Sequence, residues 1–177
     1  RFMIPLKIII LHELFHFNVL ADSISYCRAK KGMELYAYCF MPSHACPEQS
    51  RRVHLLFRSA NEDPSGLIRD FKKHTSKKIM EAIENNAQES RKEWLLWIFR
   101  RAGNKNGTTT KSQFWQQHNQ PIKLWSEKVI KKKIDYMHNN PIESGFVCNA
   151  EDWKYSSARN FQEDFTLLEI DRTGFLG

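Results

Sequence analysis

The sequence predicts an α+β fold. Three observations lead to this prediction: two short runs of aromatic and aliphatic residues typical of strands, several longer stretches with apolar residues at helical spacing, and no internal repeat or linker. The 177 residues are enough for one domain with a sizeable core. We therefore expect a single domain over residues 1–177.

The first half of the chain begins with a short isoleucine-rich strand, predicted at Leu6–Ile10. A helix is predicted over Leu11–Lys31, and Gly32 should end it. Leu35–Met41 and Val53–Phe57 are dense in aromatic and apolar residues, which is typical of buried strands. The polar, proline-containing segment between them is predicted to be a loop.

The second half is mainly helical. Asn61–Ser65 is a predicted turn, and Leu67–Ile83 has apolar residues at helical spacing. A further helix should start near Ser90 and end before a flexible polar loop at Gly103–Gln113. The aromatic Trp125 is assigned to the core.

Composition indicates the kind of partner. The formal net charge is +7 and the pI is about 9.3, which favours nucleic acid before a membrane surface. A basic protein with no nucleic-acid role has the same composition. No apolar run approaches the roughly 20 residues of a membrane helix. The four scattered cysteines suit free thiols in a reducing cytoplasm.

A formal metal motif lies in the first predicted helix. His12, Glu13 and His16 match the HExxH pattern, in which two histidines share a zinc ion and the glutamate is the general base. Glu34 is the nearest downstream carboxylate that could complete the site. A partly exposed helix face without metal is the other interpretation, and five-letter patterns also occur by chance.

Two segments offer surfaces for nucleic acid. The helix over Leu67–Ile83 carries Arg69, Lys72 and Lys73, which could follow a phosphate backbone, although a solvated helix face fits equally well. Further on, four side chains could stack on or hydrogen-bond to unpaired bases: Phe114, Trp115, Gln117 and His118. Aromatic residues are more often part of a core.

The helix predicted at Lys128–Pro141 combines a basic surface with polar groups. Its apolar side is Ile130, Ile134 and Met137, and its cationic stretch is Lys131, Lys132 and Lys133. Ser126 should cap its start, and Pro141 should end it. Tyr136 and Asn140 share one face, about 6 Å apart along the axis. A nucleophilic hydroxyl beside an amide ligand suits phosphate chemistry; a buried tyrosine and a capping asparagine are the structural alternative.

A second histidine pair becomes visible when one segment is set aside. Without Ala45–Arg52, the chain would have the sequence FMPSH-VHLLF, in which His44 and His54 flank a valine. Histidines two apart on a strand share a face and can bind one metal. The segment therefore looks like an eight-residue insert, which either bulges out or separates the two histidines.

Three segments together carry a family resemblance: LYAYCFMPSH…VHLLF, the helix IDYMHNNP, and IESGFV…EDWKYSSARN. In this order they resemble the single-tyrosine HUH transposases, and most of all the REP-associated tyrosine transposases. The resemblance covers about Met33–Asn160. HxH alone is a weak signal, whereas HxH followed by a YxHxNP helix and a DWxYSS segment is specific.

The resemblance implies a ferredoxin-like antiparallel sheet with helices packed on it. It also implies a transposase that cuts and rejoins single-stranded DNA at hairpin repeats, in the bacterial cytoplasm and at the nucleoid, as a monomer or homodimer. His44, His54 and Asn140 would bind Mg²⁺ or Mn²⁺, a choice that suits imidazole and amide ligands. Tyr136 would form a 5′-phosphotyrosine.

Two departures from the family pattern leave an alternative open. The insert splits a motif that the family keeps contiguous, and the strand before the first helix looks truncated. Both features are expected in a degenerate copy of a mobile element. The alternative function is therefore a non-catalytic nucleic-acid-binding remnant of such a transposase.

Overall fold

A four-stranded antiparallel sheet organises the chain. The computed structural model describes residues 2–7, 14–42, 52–105, 112–116, 121–162 and 166–171. The elements are β1 (Phe2–Lys7), α1 (Leu14–Lys31), β2 (Met33–Phe40), β3 (Arg52–Ser59), α2 (Pro64–Asn85), α3 (Lys92–Lys105), β4 (Ile122–Lys123), α4 (Glu127–Glu143) and 3₁₀ helices at Ala150–Asp152 and Ser157–Gln162. The strand order is β2-β3-β1-β4. This arrangement confirms the predicted α+β class and the ferredoxin-like sheet.

The strands β2 and β3 lie where the sequence predicts them. They pair from Met33 opposite Ser59 to Phe40 opposite Val53, with a bulge between Leu35 and Ala37. Both have side chains buried on the two faces of the sheet, which explains why their sequences are nearly continuous apolar runs. On its other side, β3 pairs with all six residues of β1, so the first strand is a full central strand in spite of its expected truncation.

The boundaries of α2 and α3 differ from the predictions. The helix α2 begins at Pro64 rather than Leu67, because Pro64 suits the first helical position and the Asp63 carboxylate accepts a hydrogen bond from the Gly66 N–H at 2.8 Å. The helix α3 continues to Lys105, so the predicted loop was wrong for its first three residues. At Gly32, which follows α1, φ is +68°, and this confirms the predicted end.

The sheet separates two apolar cores. The larger one lies between the sheet and the helices α1, α2 and α3, and includes Leu55 and Phe57 of β3. The smaller one lies on the opposite face, where Leu56 packs with Ile130, Ile134 and Met137 of α4. These three residues are the apolar side that the sequence predicts for this helix. The helix α4 therefore covers the face of the sheet that α1 and α2 leave open.

The edge of the sheet at β2 is covered by the segment that carries the DWxYSS motif. The Phe40 N–H donates to the Tyr155 carbonyl at 2.9 Å, and the Trp153 indole N–H donates to the Phe40 carbonyl at 3.0 Å. Nearer the start of β2, the Leu35 N–H donates to the Asp171 carboxylate at 2.7 Å. These bonds satisfy backbone groups that an edge strand would otherwise expose. They also hold the motif segment against the sheet.

Three cysteines in the described ranges are free thiols: Cys27, Cys39 and Cys148. Burial raises the pKa of the Cys27 thiol to about 11, and it also raises the pKa of Cys39. Cys46 lies outside the described residues. None of the helices in the part of the chain that the structure describes is both long and apolar enough to span a bilayer.

Candidate active site

The central strand β3 holds His54 on the face of the sheet that α4 covers. In the sheet, His54 lies between Cys39 of β2 and Pro5 of β1. Its side chain is 2% exposed. Because neighbours pair with it on both sides, the backbone of His54 has little freedom to move. The ring direction is therefore set by the sheet and by the helix above it.

Across from this histidine, α4 places Tyr136 at the surface of the site. The two ring centroids are 6.2 Å apart and the ring planes meet at 82°, an edge-to-face arrangement. Tyr136 is 37% exposed, so its hydroxyl end can meet a ligand from solvent. The structure thus brings together the proposed nucleophile and one of the proposed metal ligands, which are 82 residues apart in the chain.

Asn140 lies one helical turn after Tyr136 and is buried, with an exposure of 5%. Its Nδ2 has no hydrogen-bond partner among the residues that the structure describes. An unpaired buried amide is costly, by about 1–3 kcal/mol, unless it serves a ligand. Since the oxygen and nitrogen of an amide exchange places by a flip of the group, Asn140 can present its oxygen in the same direction. This residue fits the role of a metal ligand.

The prediction that Pro141 ends this helix was wrong, because α4 continues to Glu143. The missing N–H of Pro141 removes one helical bond, but the end of the helix is closed by others. The Ser144 N–H donates to the Asn140 carbonyl at 3.0 Å, and the Phe146 N–H donates to the Pro141 carbonyl at 2.9 Å. Gly145, in the turn that follows, has φ +72°. Asn140 is therefore held in a helical turn and does not act as its cap.

The metal site cannot be completed from the described residues alone. His44 lies outside them, and they contain no cluster of three His, Cys, Asp or Glu side chains that could hold a metal ion. Asparagine is not one of these four residue types, so Asn140 does not count towards such a cluster. Arg52, which we had assigned to the insert, is the first residue of β3 and pairs with Lys7. Phe40 and Arg52 are therefore joined by residues 41–51, and His44 belongs to this connection.

The basic stretch of α4 lies beside the tyrosine. Lys131 and Lys132 are exposed, and the Lys133 Nζ lies 5.9 Å from the centroid of the Tyr136 ring. A cation over the ring face is favourable, and it places positive charge close to the Tyr136 ring. Ser126 occupies the cap position before the helix, as predicted, but its side chain makes no capping hydrogen bond.

The contacts of His138 indicate a structural role. Its Nε2 lies 2.8 Å from the Ser157 Oγ, and its ring meets Phe161 edge-on at 5.4 Å. Burial lowers the pKa of His138 to about 4, although the Asp135 carboxylate partly opposes this. The imidazole is therefore neutral near pH 7, and it joins α4 to the segment that covers β2.

Two of the predicted base-stacking residues belong to the core, and the prediction for them was wrong. Phe114 and Trp115 are 2% and 6% exposed. The Trp115 indole N–H is bonded to the Thr75 Oγ1 at 2.9 Å and to the Lys72 carbonyl at 3.2 Å. Buried rings that are bonded in this way cannot stack on bases. Gln117 and His118 lie outside the described residues.

The basic surface of α2 lies on the other side of the sheet from Tyr136. Arg69 is exposed and forms an ion pair with Asp70 at 3.2 Å, and Lys73 is exposed. Lys72 is half-buried, with its Nζ 5.9 Å from the centroid of the Trp115 ring, and burial lowers its pKa. If DNA contacts these three residues, it does so away from the tyrosine.

Trp125 was assigned to the core, and this was wrong, because it is 80% exposed. The sequence did contain a signal for the exposure of Trp125. It follows Leu124, which is only 5% exposed, and adjacent residues in an extended segment face opposite ways. Of the HExxH residues, His12 and Glu13 lie outside the described ranges. His16 is buried, with an exposure of 3%, so it does not lie on the partly exposed helix face that was the alternative to a metal site.

Comparisons with known proteins give a similar fold. Neither the protein-family models nor the curated proteins contain a match to this chain. Among solved structures, a REP-associated tyrosine transposase bound to a REP hairpin is similar, with a TM-score of 0.58 and 15% sequence identity. The match covers 98% of this chain and 87% of the other. At this identity, the likeness shows a common fold.

Proposed function

We propose that this protein is a DNA transposase that cuts and rejoins single-stranded DNA beside a hairpin, with Tyr136 as the nucleophile. The observation that carries the proposal is the contact between Tyr136 and His54, at a ring distance of 6.2 Å. It occurs in a fold similar to that of a solved transposase bound to a REP hairpin. The net charge of +7 and the lysines beside Tyr136 support a DNA partner.

A divalent cation, Mg²⁺ or Mn²⁺, belongs to the proposal. His54 and Asn140 would hold it, and His44 would be the third ligand. Asn140 fits this donor set, because its Nδ2 is unpaired among the described residues and a flip of the amide puts its oxygen, a ligand that hard divalent cations prefer, in that place. When bound, the cation would polarise the phosphate and stabilise charge on the leaving oxygen.

The reaction assigned to the protein's own residues forms one bond to phosphorus and breaks another. The Tyr136 hydroxyl oxygen attacks the scissile phosphorus, a Tyr–O–P bond forms, and the bond from phosphorus to the 3′ oxygen breaks. The phenol proton is lost, and the leaving 3′ oxygen gains one. Lys133 would attract the negatively charged phosphate towards the ring. Because the 5′-phosphotyrosine conserves one phosphodiester bond, a 3′-OH can reverse the reaction without ATP.

One observation favours the second candidate, a non-catalytic nucleic-acid-binding remnant. The position two residues before His54 on β3 is Arg52, whereas the contiguous motif would have a histidine there. His44 must approach His54 from the connection of residues 41–51. If it does not, the basic surface of α4 remains and the metal site is lost.

A covalent-adduct assay tests the proposal. The protein is incubated with Mg²⁺ or Mn²⁺ and a single-stranded DNA that contains a hairpin, labelled at its 3′ end or its 5′ end, and is run on a denaturing gel. We expect a shifted protein band that carries only the 3′ label, because the fragment downstream of the cut stays on Tyr136. EDTA should abolish the band.

Variants complete the assay. Tyr136→Phe should abolish the band and leave DNA affinity nearly unchanged, whereas Tyr26→Phe should have no effect. Tyr26 is a suitable control because it is also exposed, at 47%, and lies on α1 across the sheet. If the protein binds the DNA tightly but forms no adduct across hairpin sequences of varied stem and flank, the remnant is the correct function.

A further inference from the structure

The most exposed large apolar side chain in the described ranges is Trp125, at 80%. It lies between β4 and α4, directly before the cap residue Ser126. The Lys123 Nζ lies 5.0 Å from the centroid of its ring. An indole presented to solvent beside a cation can stack on a base and attract the adjoining phosphate at the same time.

Trp125 stands at the beginning of a row of residues that leads to Tyr136, all of them exposed except the half-buried Lys133. Val129, the third residue of α4, is 42% exposed, and Lys132 and Lys133 follow one turn later. Tyr136 follows one turn later, as expected for positions three and four apart on one helix face. From Glu127 to Tyr136 the row is about 14 Å long by helical rise, and Trp125 lies two residues before the helix, so the whole row matches about five nucleotides of a stacked strand.

We propose that Trp125 is a base-stacking residue that positions single-stranded DNA about five nucleotides from the phosphate attacked by Tyr136. The proposal rests on the function proposed above and deepens it by naming a contact that holds the strand. Stacking needs only the flat face of a base, so this contact would tolerate any sequence. The lysines along the row would hold the phosphates between the two aromatic rings.

The charge of this surface decides between DNA and a second copy of the chain as its occupant. A symmetric dimer through the same surface would bring Lys123, Lys132 and Lys133 close to the same lysines of the other copy. Like charges at an interface are unfavourable, and from Lys123 to Tyr136 five lysines outnumber the two carboxylates, Glu127 and Asp135. A polyanionic strand with exposed bases fits both the charge and the ring.

Another exposed pair of tryptophans provides a control. Trp94 and Trp97 on α3 are 49% and 52% exposed, and the Arg101 guanidinium lies 5.0 Å from the Trp97 ring centroid. This arrangement resembles that of Trp125 and Lys123. However, α3 packs with α2 in the core on the opposite face of the sheet from α4. A substitution at Trp97 therefore tests the general effect of removing an exposed indole.

The first measurement is DNA affinity by fluorescence anisotropy, with a labelled hairpin that has single-stranded flanks. We expect Trp125→Ala to raise the Kd about tenfold, Trp125→Phe to raise it at most about threefold, and Trp97→Ala to leave it unchanged. The dependence of log Kd on log salt should have the same slope in all of them, because no charge is removed. Equal Kd values for Trp125→Ala and the wild type would overturn the proposal.

The second measurement locates the base. An abasic nucleotide is placed in turn at each flank position, and the Kd is measured for wild type and Trp125→Ala. In the wild type, we expect one position, about five nucleotides from the joined phosphate, to weaken binding strongly. The same abasic nucleotide should have no further effect on Trp125→Ala. If the abasic effect is equal in both proteins at every position, the ring contacts no base and the proposal is wrong.

Adduct formation separates this inference from the proposed function. At a DNA concentration below the Kd, Trp125→Ala should form less of the Tyr136 adduct than the wild type, in proportion to its higher Kd, because the ring holds the strand whose phosphate Tyr136 attacks. A wild type that forms the adduct, with Trp125→Ala equal to it in Kd, would overturn the stacking role and leave the transposase proposal standing. A wild type that binds no single-stranded DNA would overturn both. If Trp125→Ala dissociates a dimer with unchanged DNA affinity, the surface serves self-association.

Discussion

The imidazole of His138 and the hydroxyl of Ser157 are hydrogen-bonded at 2.8 Å, and this bond joins α4 to the segment along the edge of β2. The Ser157 Oγ also accepts the Tyr38 N–H at 2.9 Å. One hydroxyl group therefore connects the helix that carries the tyrosine to the backbone of the sheet. The position of Tyr136 over His54 depends in part on this connection.

Stability should depend on the protonation of His138. Its folded-state pKa of about 4 is below the ordinary value near 6.5, so the unfolded chain binds the proton more readily. The stabilising contribution of the neutral ring is complete above pH 6.5 and is lost as the pH falls to about 4. Between pH 7.5 and 4.5, this group should lower the free energy of unfolding by about 2–3 kcal/mol.

Urea unfolding in EDTA at the two pH values measures this loss. His138→Gln, which cannot take up the proton, should lose less stability than the wild type over the same interval. Other groups titrate in both proteins, and the difference between the two proteins isolates His138. Parallel losses in the two proteins would show that the ring is not held in its neutral form.

Replacing Asn140 should separate stability from activity. Asn140→Ala removes a buried amide whose Nδ2 is unpaired in the described residues, so the free energy of unfolding should change by no more than about 1 kcal/mol. Adduct formation should fall at least about tenfold, because a metal ligand is lost. Asn139→Ala, at the exposed neighbouring position, should affect neither quantity. A large loss of stability in Asn140→Ala would instead indicate a structural amide.

His54 should be required for metal binding. In the wild type, Mn²⁺ should raise the melting temperature, because a cation that binds only the folded state stabilises it. His54→Gln keeps a side chain of similar size and should lose this rise together with the adduct. His74→Gln, on α2, should retain both. A Mn²⁺ effect that survives in His54→Gln would place the cation elsewhere.

The lysines of α4 should determine the salt dependence of DNA binding. Changing Lys131, Lys132 and Lys133 to Ala removes three phosphate contacts, so the slope of log Kd against log salt should fall by about 2 for a single strand.

A triple variant of α2 is the matched control for this change. Lys73, Lys77 and Lys78 are also exposed, and their replacement by Ala removes the same charge on the far side of the sheet. We expect its slope to equal that of the wild type. If the α2 variant shows the smaller slope and the α4 variant does not, the DNA follows the α2 surface.

Deleting Ala45–Arg52 tests the insert. The deletion would leave Met41, Pro42 and Ser43 between β2 and a strand that begins His44-Val53-His54, and three-residue connections are common in hairpins. The two histidines would then share a face. We expect adduct formation to equal or exceed that of the wild type. A folded deletion variant with a lower yield would mean that the insert contributes to activity.

Much of this fold could be predicted from sequence, because its strands and helices follow simple patterns. The apolar sides of β2, β3 and α4 are determined by local periodicity, and so is the end of α1 at Gly32. The contact between His54 and Tyr136 is different, since it depends on which face of the sheet α4 covers. Periodicity alone does not predict which face of the sheet α4 covers. That prediction came from the family resemblance.

The errors at the two tryptophans have one physical origin, because burial is decided by partners far away in the chain, whereas the error at Pro141 is local. Trp115 and Trp125 have similar sequence surroundings, yet one is bonded to Thr75 of α2 and the other faces solvent. Pro141 disfavours helix locally, but the bonds from Ser144 and Phe146 outweigh that preference. A tertiary contact decides the first case, whereas backbone hydrogen bonds at the end of the helix decide the second.

The bonds along the edge of β2 also affect how the chain matures during synthesis. Tyr38 is 119 residues from Ser157, and Leu35 is 136 residues from Asp171. Until those partners leave the ribosome, β2 has unpaired backbone groups and α4 lacks its link through Ser157. Contacts of such long range form late, since they must close long loops. A nascent chain would therefore hold a partly open sheet until Ser157 and Asp171 have emerged, and the placement of the tyrosine over its histidine would be a late step of folding.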